Sequence, residues 1–253
     1  MVKFGSSELH EANPWESFDK IYCINLKERG DKHDYCKEVF KKMRVPVDFY
    51  RPDRHPNGGV QGCFESHISV IKKAYDQGCE NVVIFEDDIF PQNVTSEKLE
   101  EIIKFIKEED WDIFYLGGSP LFFSLPRKER NYKDVYALKY NCTHAYILNR
   151  KYMRELKDTK FNGTAIDIFY SGDSNRSYGI QPSLFQQAPF ASDVSDQNRV
   201  VENFKDVVFN RHKPFWMNLV EYSSINKGEI LGAISSALFL VLLLIFLARK
   251  REN

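Results

Sequence analysis

Residues 81–91 read Asn-Val-Val-Ile-Phe-Glu-Asp-Asp-Ile-Phe-Pro. Four consecutive apolar residues, Val82 to Phe85, mark a strand buried on both faces, as the strands of α/β sheets are. Three acids follow at once. At the carboxyl end of a buried strand they stand where open α/β sheets bind ligands. Glu86, Asp87 and Asp88 repel one another there, and a divalent cation such as Mg²⁺ or Mn²⁺ relieves that repulsion through oxygen ligands. Such an ion can bridge a diphosphate and stabilise its charge as it leaves.

Working outward, the same alternation continues on both sides. Residues 20–26, KIYCINL, form an apolar β-rich run, the first buried strand. Helical spacing of Tyr35, Val39, Phe40 and Met43 predicts a helix over 28–44. Residues 45–50 read as a short strand. Pro52, Pro56 and Gly58-Gly59 make 51–60 a loop. A helix over 63–75 ends at Gly78. Thr95 and Ser96 cap a helix over 97–107, and 111–116 form another strand, ended by Gly117-Gly118. This alternation predicts a mostly parallel sheet flanked by helices. The second half is less regular: strands over 135–138, 143–148 and 179–180, short helices over 151–157 and 166–170, and an irregular tail over 190–228.

Composition bounds the function. The 253 residues are 43% apolar and 28% charged with a net charge of −1, which is globular and carries no basic excess for nucleic acid. The five cysteines, an odd number without close pairs, match neither a disulfide scaffold nor a zinc site, so buried free thiols are expected.

Residues 230–248 read ILGAISSALFLVLLLIFLA without a charge. As a helix they span about 28 Å, close to the hydrocarbon thickness of a bilayer, and predict a C-terminal transmembrane anchor. The lack of a secretory signal at the amino terminus points to insertion after synthesis, with residues 1–229 cytosolic. Arg249, Lys250 and Arg251 beyond the helix point the other way. Acceptors of the Asn-x-Ser/Thr type at Asn93, Asn141, Asn162 and Asn175 add a lumenal hint. The side stays open, an endomembrane or a viral membrane among the options.

Six stretches in register, INLKERGDK, GCFESHISVIKKAYDQG, VVIFEDDI, THAYILNRKYMREL, AIDIFY and YGIQPSLFQQ, together resemble glycosyltransferase family 25, the group of lipopolysaccharide and procollagen galactosyltransferases. The resemblance covers about residues 18–198. It implies a type-A glycosyltransferase fold (Rossmann-like), a UDP-sugar donor, a divalent metal (typically Mn²⁺), a glycan or protein hydroxyl as acceptor, and inversion at the anomeric carbon. On it, Asp88 with Asp87 or Glu86 holds the metal, Asn25, Arg29 and Lys32 lie near the nucleotide, and Ser66 and His67 match the family's Ser-His pair. Inversion needs a base for the acceptor hydroxyl, for which Asp167 is the first candidate and Asp173 the second. Lys32 stands where an arginine is more usual, and Gln61 where an acid is common.

The expected organisation is an N-terminal extension (1–17), a transferase domain (18–198), a juxtamembrane tail (199–228), the transmembrane helix (229–248) and a basic tail (249–253). A competing expectation is a descendant that kept the fold and lost turnover, serving as a membrane or virion structural or binding component. A phosphohydrolase is disfavoured, because Asn25 and Lys27 stand where its nucleophilic Asp would follow the first strand.

Overall fold

The computed structural model describes residues 13–120, 127–173, 175–188, 190 and 193. Residues 1–12 and the expected segments 199–228, 229–248 and 249–253 lie outside the described residues. Among the described residues no helix is long and apolar enough to cross a membrane.

In chain order the elements are a 3-10 turn (Pro14–Ser17), β1 (Lys20–Ile24), α1 (Gly30–Met43), β2 (Asp48–Tyr50), α2 (Gly59–Asp76), β3 (Asn81–Glu86), β4 (Ile89–Pro91) and α3 (Ser96–Glu108). There follow β5 (Ile113–Pro120), β6 (Arg127–Lys128), β7 (Val135–Ala137), β8 (Tyr140–Asn149), α4 (Arg150–Leu156), α5 (Ile166–Gly172), β9 (Ser177–Ile180) and β10 (Phe185–Gln187). Eight strands form one sheet in the order β2-β1-β3-β8-β5-β9-β7-β6, and β4 pairs with β10 in a separate ribbon.

The sheet is mixed but parallel-rich: β8 and β7 run against the other six strands. β2, β1 and β3 run parallel, as do β5 and β9. β8 lies between β3 and β5 and is antiparallel to both. The strand–helix–strand alternation that predicts parallel pairing holds as far as β3. Beyond it, β5 keeps the direction of β3, and the chain then adds β7 and the edge strand β6 before returning as β8 through the middle.

Both faces of the sheet are covered, which is why its central strands read as unbroken apolar runs. Side chains alternate between faces. Val83 and Phe85 pack with Phe40 of α1 and with Leu99, Ile102 and Phe105 of α3. Val82 and Ile84 pack with Phe64 and Ile71 of α2, Met153 of α4 and Tyr170 of α5. The helix boundaries follow chain chemistry: Gly78, at φ +83°, follows α2, and Thr95 Oγ1 caps the start of α3 by accepting from Lys98 N at 3.4 Å. α2 begins at Gly59, earlier than its apolar spacing suggests.

Gly117 does not end its strand. β5 runs through it to Pro120 with a register shift against β8. A Cβ at Gly117 would lie 2.4 Å from the Phe185 carbonyl oxygen, so this glycine admits β10 against the sheet. The β4–β10 ribbon was not foreseen, since each of its strands is only three residues long.

Candidate functional site

One cleft opens beyond the carboxyl ends of β1 and β3. It is lined by the acidic turn between β3 and β4, the first turns of α2, the start of β8, the start of α5 and the loop after β2. Lys32, Ser66, His67, Glu86, Asp87, Asp88 and Asp167 all line it. Asn25, Arg29 and Asp173 are not among its lining residues.

The period of two along β3 decides where the acids go. Glu86 continues the row of Val82 and Ile84 and turns toward α2. Its Oε1 accepts from Thr143 Oγ1 at 2.7 Å and lies 3.5 Å from His67 Nε2. Asp87 turns to the opposite face. Its carboxylate accepts from Asn25 Nδ2 at 2.8 Å and from Lys32 Nζ at 3.0 Å, and its carbonyl oxygen accepts from the Cys36 thiol at 3.3 Å. The Asp88 carbonyl oxygen accepts from Ala188 N at 2.5 Å, which ties the turn to the chain after β10. The adjacent acids Glu86 and Asp87 thus diverge, while both face the cleft.

Asn25 is buried and occupied. Besides Asp87, it donates to the Arg29 carbonyl oxygen at 3.1 Å and accepts from Arg51 Nε at 3.0 Å. Its role here is to orient Asp87. Lys32 is buried as well and lies 2.8 Å from Asp193 Oδ2, which also accepts from Arg29 Nη1 at 2.5 Å; Arg54 Nη2 reaches Asp193 Oδ1 at 3.2 Å. Burial would lower the Lys32 pKa, but the Asp87 charge and the Asp193 hydrogen bond outweigh it and hold Lys32 above its ordinary value. Burial would raise Asp193, yet Arg29 and Lys32 hold it below the usual carboxylate range. Asp87 is raised instead. Its burial outweighs Lys32 and Asn25, and the neighbouring Asp193 charge adds to the rise. The lysine divides its charge between two carboxylates, and Asp193 also has the two arginines.

On the α2 side, His67 is fully buried. Its Nδ1 is 2.6 Å from the Tyr146 hydroxyl. Burial would raise Glu86, but His67 and Thr143 overcome that and leave it below its ordinary value. Ser66 lines the cleft while its hydroxyl donates to the Gly62 carbonyl oxygen at 2.6 Å.

The two candidate bases separate. Asp167 lies in the first turn of α5 and lines the cleft, its Oδ1 accepting from Ile168 N at 2.8 Å. Asp173 follows the end of that helix, where its carboxylate accepts from the Tyr152 hydroxyl at 2.7 Å. Sequence reasoning missed Arg54 and Asp193. Neither lies in a periodic element, and nothing local to the sequence ties residue 193 to residues 29 and 32. It also missed Cys63, whose signal was its place one helical turn before His67. None of the five cysteines is in a disulfide, and Cys23, Cys36 and Cys79 are buried as expected, whereas Cys63 and Cys142 are half-buried.

Residues 57–170 match the family described as glycosyltransferase family 25 (LPS biosynthesis protein). Mouse procollagen galactosyltransferase 2 is 29% identical over 140 residues, covering 44% of this chain and 22% of the relative. A cattle protein named probable inactive glycosyltransferase 25 family member 3 is 36% identical over 129 residues, covering 40% of this chain and 22% of the relative. The chain thus spans about a fifth of the length of these relatives. Among solved structures, a mutant Drosophila galactosyltransferase 7 in complex with manganese, UDP-Gal and xylobiose is 10% identical with a TM-score of 0.38, over 73% of this chain and 79% of that one. A likeness of that size carries no argument about the site. Residues 57–170 of this chain are therefore similar to glycosyltransferase family 25, over somewhat less than half of its length.

Proposed function

We propose that this chain transfers a hexose, galactose or glucose, from a UDP-sugar to a glycan or protein hydroxyl, with inversion, and that residues 229–248 hold it at a membrane. The observation that carries the reading is the shared cleft. It joins the acidic turn, a cationic group at Lys32 and Arg54 with Arg29 behind it, and the Asp167 carboxylate.

Asp87 and Asp88 fit a hard divalent cation. They offer only oxygen donors to the cleft, and each carboxylate oxygen of Asp87 accepts one hydrogen bond, which leaves lone pairs over. Glu86, turned to Thr143 and His67, is the least suited of the three. A bound Mn²⁺ would draw charge from the diphosphate leaving group. The chain's own groups do the rest. Lys32 and Arg54, with Arg29 behind them, hold the phosphate oxygens, for which Asp193 stands as an internal substitute. Asp167 takes the proton from the acceptor hydroxyl oxygen as that oxygen attacks the anomeric carbon. Asp173, engaged with Tyr152, is the weaker candidate.

A non-catalytic membrane or virion component is the second reading. Two observations favour it: Lys32 already neutralises Asp87 from within, and the relative named probable inactive is 36% identical against 29% for the galactosyltransferase.

Incubating the full chain with Mn²⁺ and a panel of UDP-sugars separates the readings. Slow UDP release from one donor, abolished by chelator, is the expected result. Absence of both cleavage and metal-dependent UDP binding would leave the non-catalytic reading in place. With an acceptor present, unchanged turnover in Asp167→Asn would remove Asp167 from the role of base.

A further inference from the structure

Cys63 and His67 stand four residues apart on α2, so their side chains leave the helix on one face. Glu86 ends β3 opposite them. The Cys63 Sγ, a His67 ring nitrogen and a Glu86 carboxylate oxygen all lie within 4.8 Å of one another. His67 is 0% exposed, and its Nε2, aimed at this group, makes no hydrogen bond of normal geometry, with Glu86 Oε1 3.5 Å from it. A buried imidazole nitrogen left so carries a desolvation cost, which a ligand there would offset.

We propose that Cys63, His67 and Glu86 form a three-ligand site for zinc, distinct from the Asp87-Asp88 oxygen site, with a fourth position open to the cleft that all three residues line. The inference holds whether or not the chain transfers sugar. Thiolate and imidazole select a borderline-soft cation over Mg²⁺ or Mn²⁺. Three protein ligands with one position open is the pattern of reactive zinc sites, where four-ligand sites are structural. One thiolate and one carboxylate balance the two charges of the ion. On binding, the Cys63 S–H bond breaks, its proton goes to solvent, and a sulfur–zinc bond forms.

The surroundings are those of a metal site. The Tyr146 hydroxyl on His67 Nδ1 fixes the ring, and Thr143 Oγ1 orients Glu86 Oε1. Zinc bond lengths put tetrahedral ligand atoms roughly 3.3–3.8 Å apart. His67 Nε2 and Glu86 Oε1, at 3.5 Å, already meet this. The other separations, at most 4.8 Å, need to contract by no more than about 1.5 Å, within reach of side-chain rotation.

The test is to strip the full chain with chelator and load it with Co²⁺. A thiolate-to-cobalt charge-transfer band is expected at one equivalent, displaced by Zn²⁺ and not by Mn²⁺. Cys63→Ser should abolish the band, while Cys142→Ser, a change at the other cysteine lining the cleft, should keep it. Because His67 is fully buried, the third ligand is better tested by Glu86→Gln, which should weaken zinc binding at least about tenfold with the circular dichroism unchanged. A missing band in the unmodified chain, a band that survives Cys63→Ser, or equal displacement by Mn²⁺ would each overturn the site.

Discussion

Replacing Asp88 with alanine is expected to lower Mn²⁺-dependent UDP-sugar cleavage about a hundredfold or more, the scale for losing a group that stabilises leaving-group charge. The fold should survive. The tie between the acidic turn and the chain after β10 runs through the Asp88 backbone carbonyl oxygen, which accepts from Ala188 N and remains in the variant. A matching thermal midpoint beside lost cleavage, with metal-independent UDP binding retained, is the full expected pattern. Unchanged cleavage in the variant would remove the acidic turn from the proposed chemistry.

Lys32→Met is expected to destabilise the domain by about 3–5 kcal/mol, because it leaves Asp87 buried without its cation. At roughly 2–4 °C per kcal/mol for a domain of this size, the melting midpoint falls by about 6–20 °C. The loss should depend on pH in a defined direction. Burial already holds the Asp87 pKa above its unfolded value, and removing Lys32 raises it further. A carboxyl group with a raised folded pKa binds more protons folded than unfolded, so its penalty is full at neutral pH and fades as pH falls through that folded pKa. The deficit of Lys32→Met should therefore shrink on acidification. A deficit that is small, or flat with pH, would show that Asp87 does not depend on this lysine. The variant also separates structural from catalytic use of Lys32, since weakened UDP binding at a temperature where the variant stays folded reports on the cleft alone.

What the sequence disclosed follows from range. Val82 to Phe85 announced a strand covered on both sides, and it is an interior strand of the sheet, paired with β1 and β8. Its period of two also held the divergence of Glu86 from Asp87, although the triplet read linearly suggested one cluster. The paired helices were legible because their apolar stripes are local. The antiparallel course of β8 was not, since its sequence fits either direction and only the return from β6 and β7 sets it. The cation cluster was half visible. Arg29 and Lys32 stood out at a helix start, while Arg54 and Asp193 come from irregular segments that only folding brings together. Cysteine spacing gave no metal pattern, because the proposed ligands are one thiol, a histidine a turn later and an acid from another element.

The strand order also sets how little of the chain can be cut away. The stretch matched to the family, residues 57–170, contains β3, β8 and β5 but omits β1 and β9, the strands that cover the two outer flanks of that trio. A piece trimmed to the match would bare two rows of backbone donors and acceptors and a floor of apolar side chains that β1 and α1 otherwise seal. Unpaired edges of that kind recruit other chains. Such a piece should sediment as an aggregate, whereas one reaching from the Pro14–Ser17 turn through β10, with those flanks covered, should not. Recognisability and autonomy are therefore drawn at different boundaries in this molecule.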